Sequence, residues 1–252
     1  MTLAAASRVR ARRRMPLWLG WSVALAVALG FCALGRWQLQ RMHEKQALLA
    51  QAAHVRDHPQ ALADALRATL PGQLRWVHGA GRFLPGQILL DNQLRQGRSG
   101  VKVYQPFLAD GAAAPLLVEL GWLPLPADRA LPEPVPLQGR YTLVGLLGPA
   151  PSHGLALGPA LVAAPSPQRW LAMRIEPAAI GTALGRRDIL SQVLRLDPAL
   201  PLGYPRDLDL LPNTLPPERH LGYAVQWFGL ALAVLVTAAL LSWRARRGRG
   251  GR

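Results

Sequence analysis

Two long charge-free apolar runs bracket the chain, and between them the apolar positions come in short bursts. Residues 15–35 are 21 positions without a charge, and residues 221–243 are 23. A helix needs roughly 20 apolar residues to cross a bilayer core, so each run predicts a membrane-spanning helix. Beyond the first run, Leu39, Met42, Gln46 and Leu49 keep a roughly helical period. Helix is therefore expected to continue through 38–68, with a break at 57–59 and a second short helix at 64–69. Pro71-Gly72 ends that region.

The texture then changes to strand-length segments at 74–83, 87–94, 101–108, 116–122, 139–147, 169–175 and 189–196. Leu84-Pro85-Gly86 reads as hairpin-like punctuation between the first two, and Ala109-Asp110-Gly111 as a turn. Alternation is visible at Val101 and Val103 but is imperfect elsewhere. A short helix is expected at 176–184, with Pro177 in its first turn and Gly185 as its stop. Residues 124–136, 149–167 and 197–217 are rich in proline and read as loops. About seven strands, mostly antiparallel, predict a compact barrel or curled sheet. The fold class expected is an α+β membrane protein with two transmembrane helices flanking a β-rich, antiparallel, barrel-like extracytoplasmic domain with short helices.

Charge refines this picture. Arg8, Arg10, Arg12, Arg13 and Arg14 precede the first run; Arg244, Arg246, Arg247, Arg249 and Arg252 follow the second. Short basic flanks stay cytoplasmic, so both tails (1–14 and 244–252) are expected in the cytoplasm and residues 36–220 outside it. Ten of the 29 basic residues lie in those tails, leaving +5 on the domain of the total +15. The basicity is thus a topology signal beside anionic lipid rather than a nucleic-acid footprint. There are 27 Arg and two Lys, and Ala, Pro, Leu and Gly are abundant, as in GC-rich bacterial genomes. Only 14 residues precede the first run, little room for a transit peptide; a bacterial inner membrane with two spans is expected. The run exceeds a signal-peptide core, which favours an uncleaved anchor. Gly20, Ala24 and Ala28 on the first helix, and Gly229 and Ala233 on the second, offer small faces for helix packing. The lone Cys32 excludes an intrachain disulfide and any paired-cysteine metal or redox site.

Catalytic signatures are absent: no glycine-rich phosphate loop, zinc-protease motif or serine elbow occurs. His54 and His58 are spaced for a shared helix face, but no third ligand completes a zinc set. Asp207 and Asp209 read as solvated charges. The most informative segment is Arg219-His220-Leu221-Gly222-Tyr223-Ala224-Val225-Gln226-Trp227-Phe228. His220, Tyr223 and Trp227 share about 60° of a helix face at the membrane entry. An interfacial aromatic belt explains Tyr223 and Trp227 but leaves His220 and Gln226 unaccounted for. Where the first helix exits stands Gly35-Arg36-Trp37-Gln38-Leu39-Gln40-Arg41. Imidazole, aromatic surface and guanidinium together are what a haem requires, without excluding the plainer belt.

With Lys45, Val77-His78-Gly79 to Phe83, Leu89-Leu90-Asp91-Asn92, Gly97 to Gly100 and Gly121-Trp122, these segments resemble the Surf-one (Surfeit locus protein one) family of cytochrome c oxidase assembly factors. The chain departs from the family pattern at Leu120 and Gln93, where Arg is usual, and at Val101, often aromatic. The resemblance implies a non-catalytic factor that helps deliver or stabilise haem a during maturation of oxidase subunit one. It implies His220 as the iron ligand; from the residues around it, Tyr223 and Trp227 would then flank the macrocycle and Arg36, Arg41 or Arg219 pair with the propionates. Partners implied are cytochrome c oxidase subunit one, haem a synthase and membrane lipid, with no nucleic acid. The alternative is a cofactor-free membrane scaffold for oxidase subunits.

Overall fold

The computed structural model describes residues 16–68, 72–151, 158–186, 188–208 and 215–247. Arg8 to Arg14, Arg249, Arg252 and Asp209 of the sequence reading lie outside these. The chain forms two units: residues 1–45 with 215–252, and residues 46–214.

The first unit is a pair of helices. α1 (Leu17–Arg56) and α4 (Pro217–Arg247) are 40 and 31 residues long. At 1.5 Å per residue they measure about 60 and 46 Å. Both carry windows apolar enough to cross a membrane, with a mean hydropathy of 2.0 and 2.1. This architecture fits a two-span membrane protein. Aromatic residues mark both ends: Trp18 and Trp37 on α1, Tyr223 and Trp243 on α4. Each pair is separated by about 30 Å of helix, the thickness of a hydrocarbon core. Arg247 stacks over Trp243 at 3.9 Å, as interfacial cations do.

The second unit begins with the last turns of α1, where Leu48, Ala52 and Val55 pack on Trp76 and Leu146. β1 (Gln60–Ala61) and α2 (Leu62–Arg67) follow the break at Pro59. The remaining elements are β2 (Arg75–Phe83), β3 (Gln87–Arg95), β4 (Arg98–Ala109), β5 (Leu116–Pro124), β6 (Arg140–Pro149), β7 (Leu161–Ala163), β8 (Arg169–Ala172), α3 (Pro177–Ala183) and β9 (Gln192–Leu196). One sheet runs β1-β2-β6-β9-β5-β4-β3-β8-β7, and an added β2–β4 pairing closes five strands into a barrel. Two membrane-spanning-capable helices thus flank a β-rich barrel domain with short helices, the class expected from the pattern. Most pairings are antiparallel; β1–β2, β3–β8 and β5–β9 are parallel.

Two local expectations are corrected. Leu84-Pro85-Gly86 is not a hairpin, because β2 and β3 do not pair with each other. Both pair with β4: β3 along Arg98–Tyr104, and β2 at Phe107, Leu108 and Ala109. Between those two pairings, Leu84 N–H donates to Pro106 O of β4 at 2.9 Å. Residues 149–167, read as loop, contain β7, which has only three residues and pairs with β8.

Both faces of the central strands are covered, which explains the weak alternation in 116–122. Leu116, Val118 and Leu120 fill the barrel interior with Val101, Val103 and Phe107. Leu117 and Tyr104 point the other way, toward Ile175 and toward Ile180 of α3. A strand buried on both sides reads as a continuous apolar run. Glu119 interrupts that run with a buried charge. Its carboxylate meets Lys102 Nζ at 2.9 Å, accepts from Tyr104 Oη at 2.8 Å, and lies 4.0 Å from Arg195 Nε. Burial first, and the Glu119 charge second, push the Tyr104 phenol well above its usual range, so it remains the donor.

Gly121 follows at φ +126°, and a Cβ there would stand 2.4 Å from Tyr204 O. Only glycine suits both the conformation and the approach. Beside this strand irregularity Trp122 lies buried, its Nε1–H donating to Gln93 O at 2.9 Å. Removing one member of a buried ion pair costs about 3–5 kcal/mol because the other is left uncompensated. Glu119→Gln should therefore lower denaturant stability by about that amount. Lys102→Met combined with Glu119→Leu should cost less than Glu119→Gln alone, as chemical unfolding followed by tryptophan fluorescence would show.

Candidate functional site at the His220 end of the helix pair

Up to Lys45, the residues of α1 withdrawn from solvent are Leu17, Trp21, Ala24, Ala28, Phe31, Gly35, Gln38, Met42 and Lys45, with Leu19 and Leu39 beside them. The first nine are spaced alternately by four and three. On α4, His220, Ala224, Trp227, Ala231, Val234 and Ala238 follow the same repeat. A 3.5-residue period is the seam of two helices packed along their length. Gly229 and Ala233, expected as a packing face, are both exposed. Their spacing of four leaves the seam, which passes through Ala224 and Ala231 instead. Ala28 is buried in α1 as expected, whereas Gly20 is exposed.

Contacts along the seam run in opposite order on the two helices. Trp21 Nε1–H donates to Ser242 Oγ at 2.9 Å. Phe31 and Trp227 stack with ring centroids 5.5 Å apart. Gln38 meets His220, and Lys45 Nζ donates to Leu215 O. The pair is therefore antiparallel, and Leu17 and Arg247 lie at the same end. At Gly35 the helices fit closely: a Cβ there would stand 2.8 Å from the Phe228 ring.

His220 sits in the first turn of α4 and is 8% exposed. Its Nδ1 lies 2.7 Å from Gln38 Oε1. An amide oxygen only accepts, so Nδ1 carries the proton and Nε2 keeps its lone pair. Nε2 is buried and has no hydrogen-bond partner among the described residues. A neutral imidazole with one nitrogen fixed and the other bare is the state of a metal-ligating histidine, whose outer partner sets tautomer and ring angle. Gln38 stands in the sequence cluster quoted above, yet its part was not read from it. The available signal was periodic: Gln38 and His220 are the polar residues at facing seam positions near the ends of the apolar runs.

The other predicted site residues are distributed around this contact. Trp227 is half-buried against Phe31, two turns along α4. Tyr223 is 39% exposed, at the edge of the seam. Arg36 and Arg219 are exposed and form no ion pair among the described residues. Arg41 is exposed, paired with Glu44 at 3.0 Å and 6.0 Å from the Trp37 ring centroid. His54 and His58 meet edge to face at 5.1 Å, and no group of three potential ligands stands there or elsewhere among the described residues. A groove of about 670 Å³ between the helices, lined by residues such as Gly20, Ala24, Leu230 and Ala238, lies toward the other end. It is apolar and begins ten residues, about 15 Å of helix, from His220. Lipid contact suits it better than chemistry.

The SURF1 family profile matches residues 25–232, which include both sides of the His220 contact and the whole barrel domain. The chain belongs to the SURF1 family. A search of curated proteins found no match. The SURF1 family is known for cytochrome c oxidase assembly and is a family of assembly factors rather than catalysts. Within the SURF1 match, Asp91-Asn92 forms a bulge in β3: Asn92 adopts φ 58°, and the register shifts between Leu90 and Gln93. Leu120 and Val101, two of the departures, are fully buried in the barrel core. The third, Gln93, lends its carbonyl to Trp122.

Nitrogen-15 spectra of the histidine ring should show His220 as the Nδ1–H tautomer. Gln38→Leu should shift it toward a tautomer mixture, whereas Gln40→Leu, on the exposed face, should leave it unchanged.

Proposed function

We propose that this chain is an assembly factor for cytochrome c oxidase that holds haem a at His220 on its way to subunit one. The observation that carries this reading is the bare, buried Nε2 of His220, with Nδ1 committed to Gln38. An unpartnered buried lone pair is costly, and an iron centre is the partner that an imidazole in this state suits. Arg36, exposed midway along α1, and Arg219, exposed in the first turn of α4, would face the carboxylates of the macrocycle. Arg41 would do so only by leaving Glu44. Trp227 and Tyr223 would supply flat apolar surface. When bound, haem a would bring the redox-active iron that the oxidase needs. The chain's own part is to present one imidazole, keep its tautomer, and exclude water from its inner edge. A single neutral ligand leaves release to the oxidase open.

The setting proposed is a bacterial inner membrane, with two spans, both tails in the cytoplasm and the barrel domain outside. The arginine tails, the antiparallel helices and the aromatic girdles support it. Subunit one and haem a synthase are the partners this reading assigns, beside membrane lipid.

Protein purified from cells that make haem a should carry a Soret band, and His220→Ala should remove it while the chain remains folded. Full haem with unchanged ligation in that variant would rule out His220. A deletion strain should lose haem from its oxidase, and His220→Ala should fail to restore it. Reporters fused to either tail should be active only in forms that work in the cytoplasm.

A further inference from the structure

The barrel domain holds a second place where buried polar atoms stand without partners, and here they are donors. A cleft of about 430 Å³ opens where three loops lead into the starts of β3, β6 and β8. Its lining includes Pro85, Gln87, Gln105, Leu137, Pro167 and Arg169. Gln87 and Arg169 are register partners on the parallel strands β3 and β8, joined by Gln87 N–H donating to Gln168 O at 2.9 Å. Gln87 is 2% exposed.

Two buried glutamines beside this cleft behave differently. Gln105 spends both ends of its amide on the walls. Its Nε2 donates to Leu84 O at 3.0 Å and to Leu137 O at 2.8 Å, and its Oε1 accepts from Leu137 N–H at 3.0 Å. It ties two of the three loops together. Gln87 has its Oε1 near Arg169 Nη2 at 3.4 Å, but its Nε2 is buried with no partner. Arg169 Nε is likewise buried and unpartnered, and its Nη2 reaches only Gln87 and Pro134 O at 3.3 Å. No acidic side chain pairs with Arg169 among the described residues. A folded protein leaves few buried donors unmet, and two side by side lining one cleft call for an external acceptor.

The geometry points to a binding site for a carboxylate in this cleft. Among its lining residues the donors without acceptors are Arg169 Nε and Gln87 Nε2, and a single cation lines it, which matches one planar two-oxygen anion. The volume is that of a ligand pocket rather than of one bound water. Prolines 85, 136 and 167 stiffen the three loops, so the cleft is preformed. The carboxylate would belong either to an acidic residue of a partner polypeptide or to a free small acid. This site is independent of the haem reading.

The full chain in detergent is titrated calorimetrically with a blocked five-residue peptide bearing a central glutamate, with its glutamine counterpart, and with N-acetylglutamate. The glutamate peptide should bind at least tenfold more tightly than the glutamine peptide. Arg169→Leu and Gln87→Leu should each weaken it about tenfold with unchanged thermal melting. Arg169→Lys, which keeps the charge but not the fork, should weaken it measurably and decides the matter if Gln87→Leu fails to fold. Peptide binding without N-acetylglutamate binding assigns the source to a polypeptide, and equal binding assigns it to a small acid. The proposal is overturned if neither acid binds, if charged and neutral peptides bind alike, or if folded variants bind as wild type. Water alone in the cleft at saturating peptide would also overturn it. His220→Ala should leave every one of these titrations unchanged.

Discussion

The seam between α1 and α4 is the constraint on which the candidate site depends. In a hydrocarbon core each helix satisfies its own backbone, so what remains to decide is which faces meet. A repeat of alternating three- and four-residue steps decides it. Small residues at Ala28, Gly35, Ala224 and Ala231 let the backbones approach, and the stack of Phe31 on Trp227 fills the step between them. Once those positions are in register, residues 182 apart in sequence have no freedom left: Gln38 falls on His220. The imidazole is thus oriented by packing several turns away as much as by its immediate hydrogen bond. A side chain at Gly35 would collide with the Phe228 ring and misalign the contact without touching it.

The sequence pattern showed the two helices plainly, because twenty uncharged apolar residues have few other uses in a chain of this charge. It showed the strands less well, for a physical reason. Leu116 to Leu120 alternate between two cores, so hydrophobicity alone has no period there, and the one polar residue, Glu119, is neutralised by partners from β4 and β9 that no local window contains. β1 and β7, with two and three residues, are too short to carry a pattern. The punctuation at Leu84-Pro85-Gly86 was legible as a turn but not as to which strands it joins, since β2 and β3 share β4 rather than each other. Of the site, His220, Tyr223 and Trp227 were readable from helix geometry, but their different burial was not. Gln38 required knowing which helix lies opposite.

Much of what makes the chain recognisable as a SURF1 family member serves the barrel rather than the His220 contact. Asn92 takes a left-handed backbone at a bulge, Gly121 passes close under Tyr204, and Trp122 caps the β3 edge through the Gln93 carbonyl. Each is a local geometric demand that few residues can meet. The departures sit in the same fabric: Leu120 and Val101 are core residues here, so substitution toward a larger or charged side chain would have to find room inside a closed barrel.

The strand order carries a consequence for how the molecule is made. β9 is the middle stave between β5 and β6, yet it is the last strand in the chain. The wall of the barrel therefore stays open until residue 196 is available, when only about twenty residues separate it from the start of α4. β5 and β6 must wait, each with one edge unpaired, for a partner that emerges late. A domain wired this way matures in one cooperative event near the end of its synthesis, just before the second long helix seeks its place beside the first.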